Sequence, residues 1–318
     1  MSLDIVTVGE AMLRLWVPAG HRLEDSPAFQ VTVAGAEANV AMAAARMGAS
    51  TAWLSSLPDN TLGRRAAREI ASHGVDVSGV HWNSGARMGL YFVELSVPPR
   101  PISVVYDRAE SAAAALTEEA IDWSIIERAR LVHLTGITPA LSMSCKTITI
   151  EIVRRVHEAG ALLSFDVNYR RLLWEPAECA EVITQLGSHI DLLIATVEDA
   201  RDVFGIQAPA HAVGGKLQEL VGARRVVVTA GGDGAFWIEG DRSGSVAAYP
   251  AEVVDRIGAG DAFAAGLLMG VLDDDLQGGV DRGLAMAALK LGLFGDQLAV
   301  TPAEVDRVMD GGRREIER

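Results

Sequence analysis

DRIGAGDAFAAG, residues 255–266, places one carboxylate, Asp261, directly after Gly-Ala-Gly and at the mouth of an apolar segment. A buried, unpaired Asp is costly, so chains rarely carry one without a partner or a task. The longer stretch VVDRIGAGDAFAAGLLMGVL (253–272) runs from a polar turn into residues that are apolar on every side, which predicts a buried helix. Gly258, Ala259 and Gly260 at its start leave backbone N–H groups uncovered, where the helix dipole also favours negative charge, so they form a candidate anion hole. A carboxylate beside a phosphate is reasonable if Asp261 takes a proton from an attacking hydroxyl while the amides hold the transferring phosphoryl group. The other reading is a capping Asp on a buried helix whose glycines serve close packing. These residues alone leave the two open.

Outward from this helix the pattern alternates. LDIVTVG (3–9), TAWLSSL (51–57), RLVHLTG (130–136), LLSFDVN (162–168), IDLLIAT (190–196) and RRVVVTAG (224–231) are short apolar runs that predict buried parallel strands. Helical segments lie between them: EANVAMAAARMG (37–48), NTLGRRAAREIASHG (60–74), CKTITIEIVRRVHEAG (145–160) and PAECAEVITQLGSH (176–189). Strand then helix, repeated, predicts a doubly wound α/β sheet. Residues 11–35 and 87–108 break the rhythm, each with two strand-like segments and no helix between them. Four such strands predict a small second sheet, acting as a lid, a dimerisation surface or both.

The 318 residues, 49% of them apolar, supply a sizeable core. No apolar run is long enough to cross a bilayer, and the N-terminus lacks a basic start and apolar core, so the expectation is a soluble cytoplasmic protein. With 42 acidic against 28 basic residues the net charge is −14, which disfavours nucleic acid and anionic membranes as partners. RRAAR (64–68) and GGRREIER (311–318) read as solvated helix faces. Cys145 and Cys179, with no CxxC spacing, read as reduced packing residues, and His133 within a strand as a core residue. GxGxxG, P-loop, HExxH and GxSxG patterns are absent, which removes the usual support for a dinucleotide-binding, P-loop, metallohydrolase or serine-hydrolase reading.

DRIGAGDAFAAG resembles the C-terminal signature of the ribokinase-like (PfkB) carbohydrate kinases, and AGAEANVAMAAARMG (34–48) is similar to their N-terminal signature. The resemblance covers essentially the whole chain. It implies a mainly parallel central sheet flanked by helices (residues 1–10, 36–86 and 110–318) with a β lid from two insertions (11–35 and 87–109). It implies ATP-dependent phosphorylation of a sugar hydroxyl, with Asp261 as base and Gly258, Ala259 and Gly260 as anion hole. ATP and Mg²⁺ follow as cofactors, a monovalent cation is left open, and homo-oligomerisation through the lid is expected.

VHLTGITPALS (132–142), FDVNYRRLLW (165–174), VVYDRAESAA (104–113) and LKLGLFGD (289–296) look most like the 2-keto-3-deoxygluconate kinases. That substrate is a sugar acid, and arginines suit its carboxylate. The resemblance assigns Arg108 and Arg170 to this role. It sets Gly35 and Asn39 against sugar oxygens, Tyr91 and Tyr106 along the pocket, and the backbone of Ile137 beside the substrate. On the nucleotide side, IATVEDA (194–200) aligns with the family's Asn-x-x-Glu motif: Glu198 is kept and implies Mg²⁺ through water, while Ala195 replaces the Asn. Thr196, Thr229, Gly231 and Gly234 would border ATP together with Gly258 and Gly260. Each has a plainer reading, the tyrosines as lid packing, the arginines as surface pairs and Glu198 as a first-turn helix acid. A neutral sugar such as fructose or ribose, the galactonate-derived epimer, and a non-catalytic sugar-binding regulator remain as alternatives.

Overall fold

The computed structural model describes residues 2–96 and 99–311; most of GGRREIER therefore lies outside the described residues. Fourteen strands occur among them: β1 (Leu3–Val8), β2 (Met12–Val17), β3 (Gln30–Ala34), β4 (Thr51–Leu54), β5 (Ser56–Pro58), β6 (His81–Asn83), β7 (Gly89–Glu94), β8 (Ser103–Asp107), β9 (Ala129–Thr135), β10 (Leu162–Asp166), β11 (Leu192–Thr196), β12 (Arg225–Thr229), β13 (Ala235–Glu239) and β14 (Arg242–Val246). The central sheet has the order β14-β13-β12-β11-β10-β9-β1-β4. From β12 to β4 every pairing is parallel, and β13 and β14 extend it antiparallel.

The parallel strands read as uninterrupted apolar runs because helices cover both faces. Val6, Val132, Leu193 and Val226 point into one core, with Ile148, Ile152 and Val156 of the helix Met143–Ala159 and Val182 of Pro176–Leu186. Their neighbours Ile5, Leu131, Leu192 and Val227 point into the other, against Ala43 of the helix Ala36–Arg46 and Phe263 and Leu267 of Ala259–Leu272. The all-round apolar segment is buried as expected: Leu267, Leu268 and Val271 have little or no exposure. Its glycines have a packing reason, since a Cβ at Gly266 or Gly270 would strike Gly283 or Gly279 of the neighbouring helix Leu276–Leu291. Both cysteines are buried and free. His133 is fully buried, its Nδ1 3.0 Å from the Ser164 hydroxyl, and desolvation pushes its pKa down to about 3.

Residues from the two interruptions build a separate four-stranded sheet, β3-β2-β7-β8, with β2 and β7 parallel. Three features depart from the sequence reading. TAWLSSL is two strands, because β4 joins the central sheet while β5 pairs with β6. The antiparallel hairpin β13–β14 turns at Gly240, whose φ of 58° lies in the left-handed region. A short helix, Ala210–Val221, also fills the crossover before β12.

Candidate active site

The C-terminal ends of β1, β9, β10 and β11 open into one cleft of about 570 Å³, roofed by β2, β7 and β8 and floored by the start of the helix Ala259–Leu272. Ligands in open α/β folds collect at this edge. The cleft brings together Gly35, Asn39, Tyr91, Tyr106, Arg108, Ile137, Arg170, Thr196, Glu198, Gly258, Gly260 and Asp261, which are far apart in the chain. Ala259, Thr229, Gly231 and Gly234 do not line it. Thr229 is the register partner of Thr196 one strand over, so these nucleotide-side candidates continue the same edge of the sheet.

Asp261 sits in the first turn of its helix, half-buried. Burial pushes its pKa up to about 7; the Asn39 hydrogen bond opposes this, Asp296 adds to it, Arg170 opposes it and Glu37 adds to it. The Asn39 amide Nδ2 donates to Asp261 Oδ2 at 2.7 Å. Asn39 thus orients the carboxylate, and it also lines the cleft with its Oδ1 buried and without a partner among the described residues. Gly258 has a φ of 87° and no room for a Cβ, which would collide with the Asp296 carbonyl. No side chain caps the helix. The Ala259 amide turns to the Arg256 carbonyl at 3.3 Å, so the cleft is offered the Gly258–Gly260 backbone with Ala259 turned aside.

The roof is tied to this floor by buried charge. The Arg14 guanidinium on β2 bonds Asp255 at 2.6 Å and also pairs with Asp296. Tyr91 on β7 donates its hydroxyl to Asp296 at 2.6 Å and stacks on Tyr106, with centroids 5.7 Å apart. Gly35 is confined by the Glu10 carbonyl, which a Cβ would strike. Arg108 is not a free clamp: its Nε donates to Glu10 at 2.8 Å, its NH2 pairs with the same oxygen, and Ser111 holds the other. Arg170 is exposed and makes no ion pair among the described residues; its NH1 reaches only the Tyr169 carbonyl at 3.3 Å.

On the nucleotide side, Thr196 caps the helix Val197–Phe204 in a reciprocal capping box with Asp199. Glu198, exposed in the first turn of that helix, satisfies its plainer reading while still facing the cleft. Ala195 is buried in β11 and offers no polar side-chain atom where the family motif has Asn.

Several cleft residues escape the sequence reading: Glu10, Glu37, Asp166, Asp199, Arg256 and Asp296. Asp166 ends β10 within the FDVNYR stretch and Asp296 ends LKLGLFGD, so a carboxylate at a strand end or before a turn was the available signal. Glu37 accepts from Thr135 and Thr138 at 2.7 and 2.8 Å, and burial holds its pKa high. Burial, then Asp199 and Asp261, push Asp166 well above the usual carboxylate range; burial raises Asp199 and Asp296 as well. Crowded carboxylates in one cleft resist ionising together.

A profile of the pfkB family carbohydrate kinases matches residues 2–303. The chain is similar to 2-dehydro-3-deoxygalactonokinase of Haloferax volcanii, at 39% identity over 100% of both chains. It is 34% identical to fructokinase-1 of Zea mays, over 85% of this chain and 83% of that one. Its fold matches the crystal structure of 2-dehydro-3-deoxygluconokinase from Thermotoga maritima with a TM-score of 0.90 and 33% identity, covering 97% of this chain and 100% of that chain. With a ribokinase-like α/β sheet, a small second sheet over its strand ends and a carboxylate at the mouth of a glycine-led helix, the chain belongs to the pfkB family of carbohydrate kinases.

Proposed function

We propose that this kinase transfers the γ-phosphoryl group of ATP to the terminal C6 hydroxyl of 2-keto-3-deoxygluconate, giving 2-keto-3-deoxy-6-phosphogluconate. The observation that carries the sugar-acid reading is Arg170, an arginine facing the cleft with no ion pair among the described residues, beside Arg108 held edge-on by Glu10. An anionic substrate must enter a cleft rich in carboxylates. Burial pushes the pKa of Asp261 to about 7, which reduces that opposing charge near neutral pH.

In the reaction, Asp261 accepts the C6 hydroxyl proton as the new O–P bond forms and the bond to the β-phosphate oxygen breaks, releasing ADP. A base with a pKa near 7 is well matched to this work at neutral pH. The open amides at the head of the Ala259–Leu272 helix face the charge spreading over the phosphoryl oxygens. Asp166, Glu198 and Asp199 make a hard oxygen donor set that fits Mg²⁺ held through water and phosphate. When bound, Mg²⁺ supplies charge neutralisation on the phosphates. The small sheet β3-β2-β7-β8 serves as a lid that carries Tyr91, Tyr106 and Arg108 onto the sugar and excludes water.

The galactonate-derived epimer is the second reading, favoured by the Haloferax relative. ATP consumption measured with both epimers, fructose, ribose and gluconate tests the proposal. A kcat/KM for the keto-deoxy acids at least about tenfold above that for fructose is expected. Preference for fructose or ribose would overturn the carboxylate clamp.

A further inference from the structure

Lys290, in the last turn of the helix Leu276–Leu291, has no solvent exposure and forms no ion pair among the described residues. Its Nζ donates to two main-chain carbonyls, Asp255 at 3.3 Å and Leu293 at 3.1 Å. A buried ammonium satisfied by carbonyl oxygens is costly to install, so its position calls for a reason. The two carbonyls belong to the two loops that shape the anion hole. One loop runs through Asp255 to Gly258; the other runs from Leu291 to Asp296. They are stitched together by Val254 N to Leu291 O at 2.7 Å and Gly295 N to Asp255 Oδ2 at 3.1 Å, and Gly258 rests on the Asp296 carbonyl. Burial pushes the Lys290 pKa down and Arg14 adds to this, while the negative charges of Asp255, Asp296 and Asp261 oppose it and favour the ammonium. Lys290 thus lies beneath the catalytic carboxylate without reaching the cleft.

We propose that the Lys290 ammonium is a tethered monovalent cation: a positioning residue that holds the two loops in register, so that phosphoryl transfer by this kinase needs no free K⁺ or Na⁺. An ammonium group and a K⁺ ion are both single positive charges that carbonyl oxygens satisfy. Deleting the ammonium leaves inward-facing carbonyls and a void, which is a site for a free cation. This inference rests on the kinase activity, not on which sugar is phosphorylated.

Turnover is measured with 2-keto-3-deoxygluconate, or with fructose if that acid is refused, in KCl, NaCl and choline chloride at equal ionic strength. The wild type is expected to vary by less than about twofold. Lys290→Met in choline chloride is expected to lose roughly ten- to hundredfold in kcat with little change in the sugar KM, as expected when charge-stabilising amides are misplaced. In Lys290→Ala, K⁺ or NH₄⁺, but not choline, is expected to recover about tenfold in kcat and to raise the melting temperature. The melting shift needs no sugar at all. Activation of the wild type more than about fivefold by K⁺, full kcat in Lys290→Met in choline chloride, or folded Lys290→Ala equally impaired in all three salts would each overturn the proposal. If Lys290→Ala fails to fold, the wild-type salt series and Lys290→Met decide it.

Discussion

Asp261→Asn separates the cost of the base from its use. In the folded protein the Asp261 pKa stands at about 7 against its usual 3.8, chiefly through burial. That gap is worth about 1.4 kcal/mol per unit, or roughly 4 kcal/mol as a ceiling. Since the group is half-buried and opens on a solvated cleft, about 2 kcal/mol is the working figure. The sign follows from proton counts. Below about pH 4 the carboxyl is neutral in both folded and unfolded chains and contributes nothing. Between about pH 4 and pH 7 the folded state keeps a proton that the unfolded state has lost, so stability falls as pH rises; above about pH 7 the loss is complete. Asn39 can still donate to an amide oxygen at position 261, so Asp261→Asn removes the charge without abandoning that bond. Calorimetric melting of both proteins from pH 4 to pH 8 should show no difference at the acid end and an advantage for the variant of about 4 °C at pH 8. Its kcat should fall by roughly 10²–10⁴. A stability difference that is flat across pH, or a variant less stable at pH 8, would refute the raised pKa; near-normal turnover would refute the base.

Glu10→Gln should strand Arg108, whose side chain is only 10% exposed, beside a neutral amide, costing about 3 kcal/mol in a urea titration. An unchanged midpoint would show that the pair is not energetically coupled. Gly258→Ala meets both a φ of 87° and the Asp296 carbonyl, so a loss of at least about 2 kcal/mol is expected, with kcat falling more than the sugar KM rises. Retention of wild-type kcat and stability would mean that the helix head is not held against the Asp296 loop.

What was legible in the sequence was whatever a local pattern encodes. A strand covered on both faces has to be an apolar run, and a helix packed on all sides has to be apolar all round; hence the central sheet and the Ala259–Leu272 helix are readable. Asp261 is readable because a carboxylate breaks an otherwise small and apolar stretch. Partners are a different matter. Asn39 meets Asp261 across 222 positions, and Arg14 meets Asp296 across 282. Nothing in either neighbourhood says that an Asn one turn into an Ala-rich helix will hold the base, or that an arginine in a strand of the small sheet will be buried against two acids. The acids show the same limit. Asp166 reads alone as a strand end, Asp199 as half of a capping box, and Glu37 as a first-turn helix acid. Burial in the shared cleft raises the pKa of each of them, and at Asp166 the neighbouring Asp199 and Asp261 add to it. The chemistry of this site therefore depends on which carboxylates the fold buries at the cleft and on what they meet there, which no single motif carries.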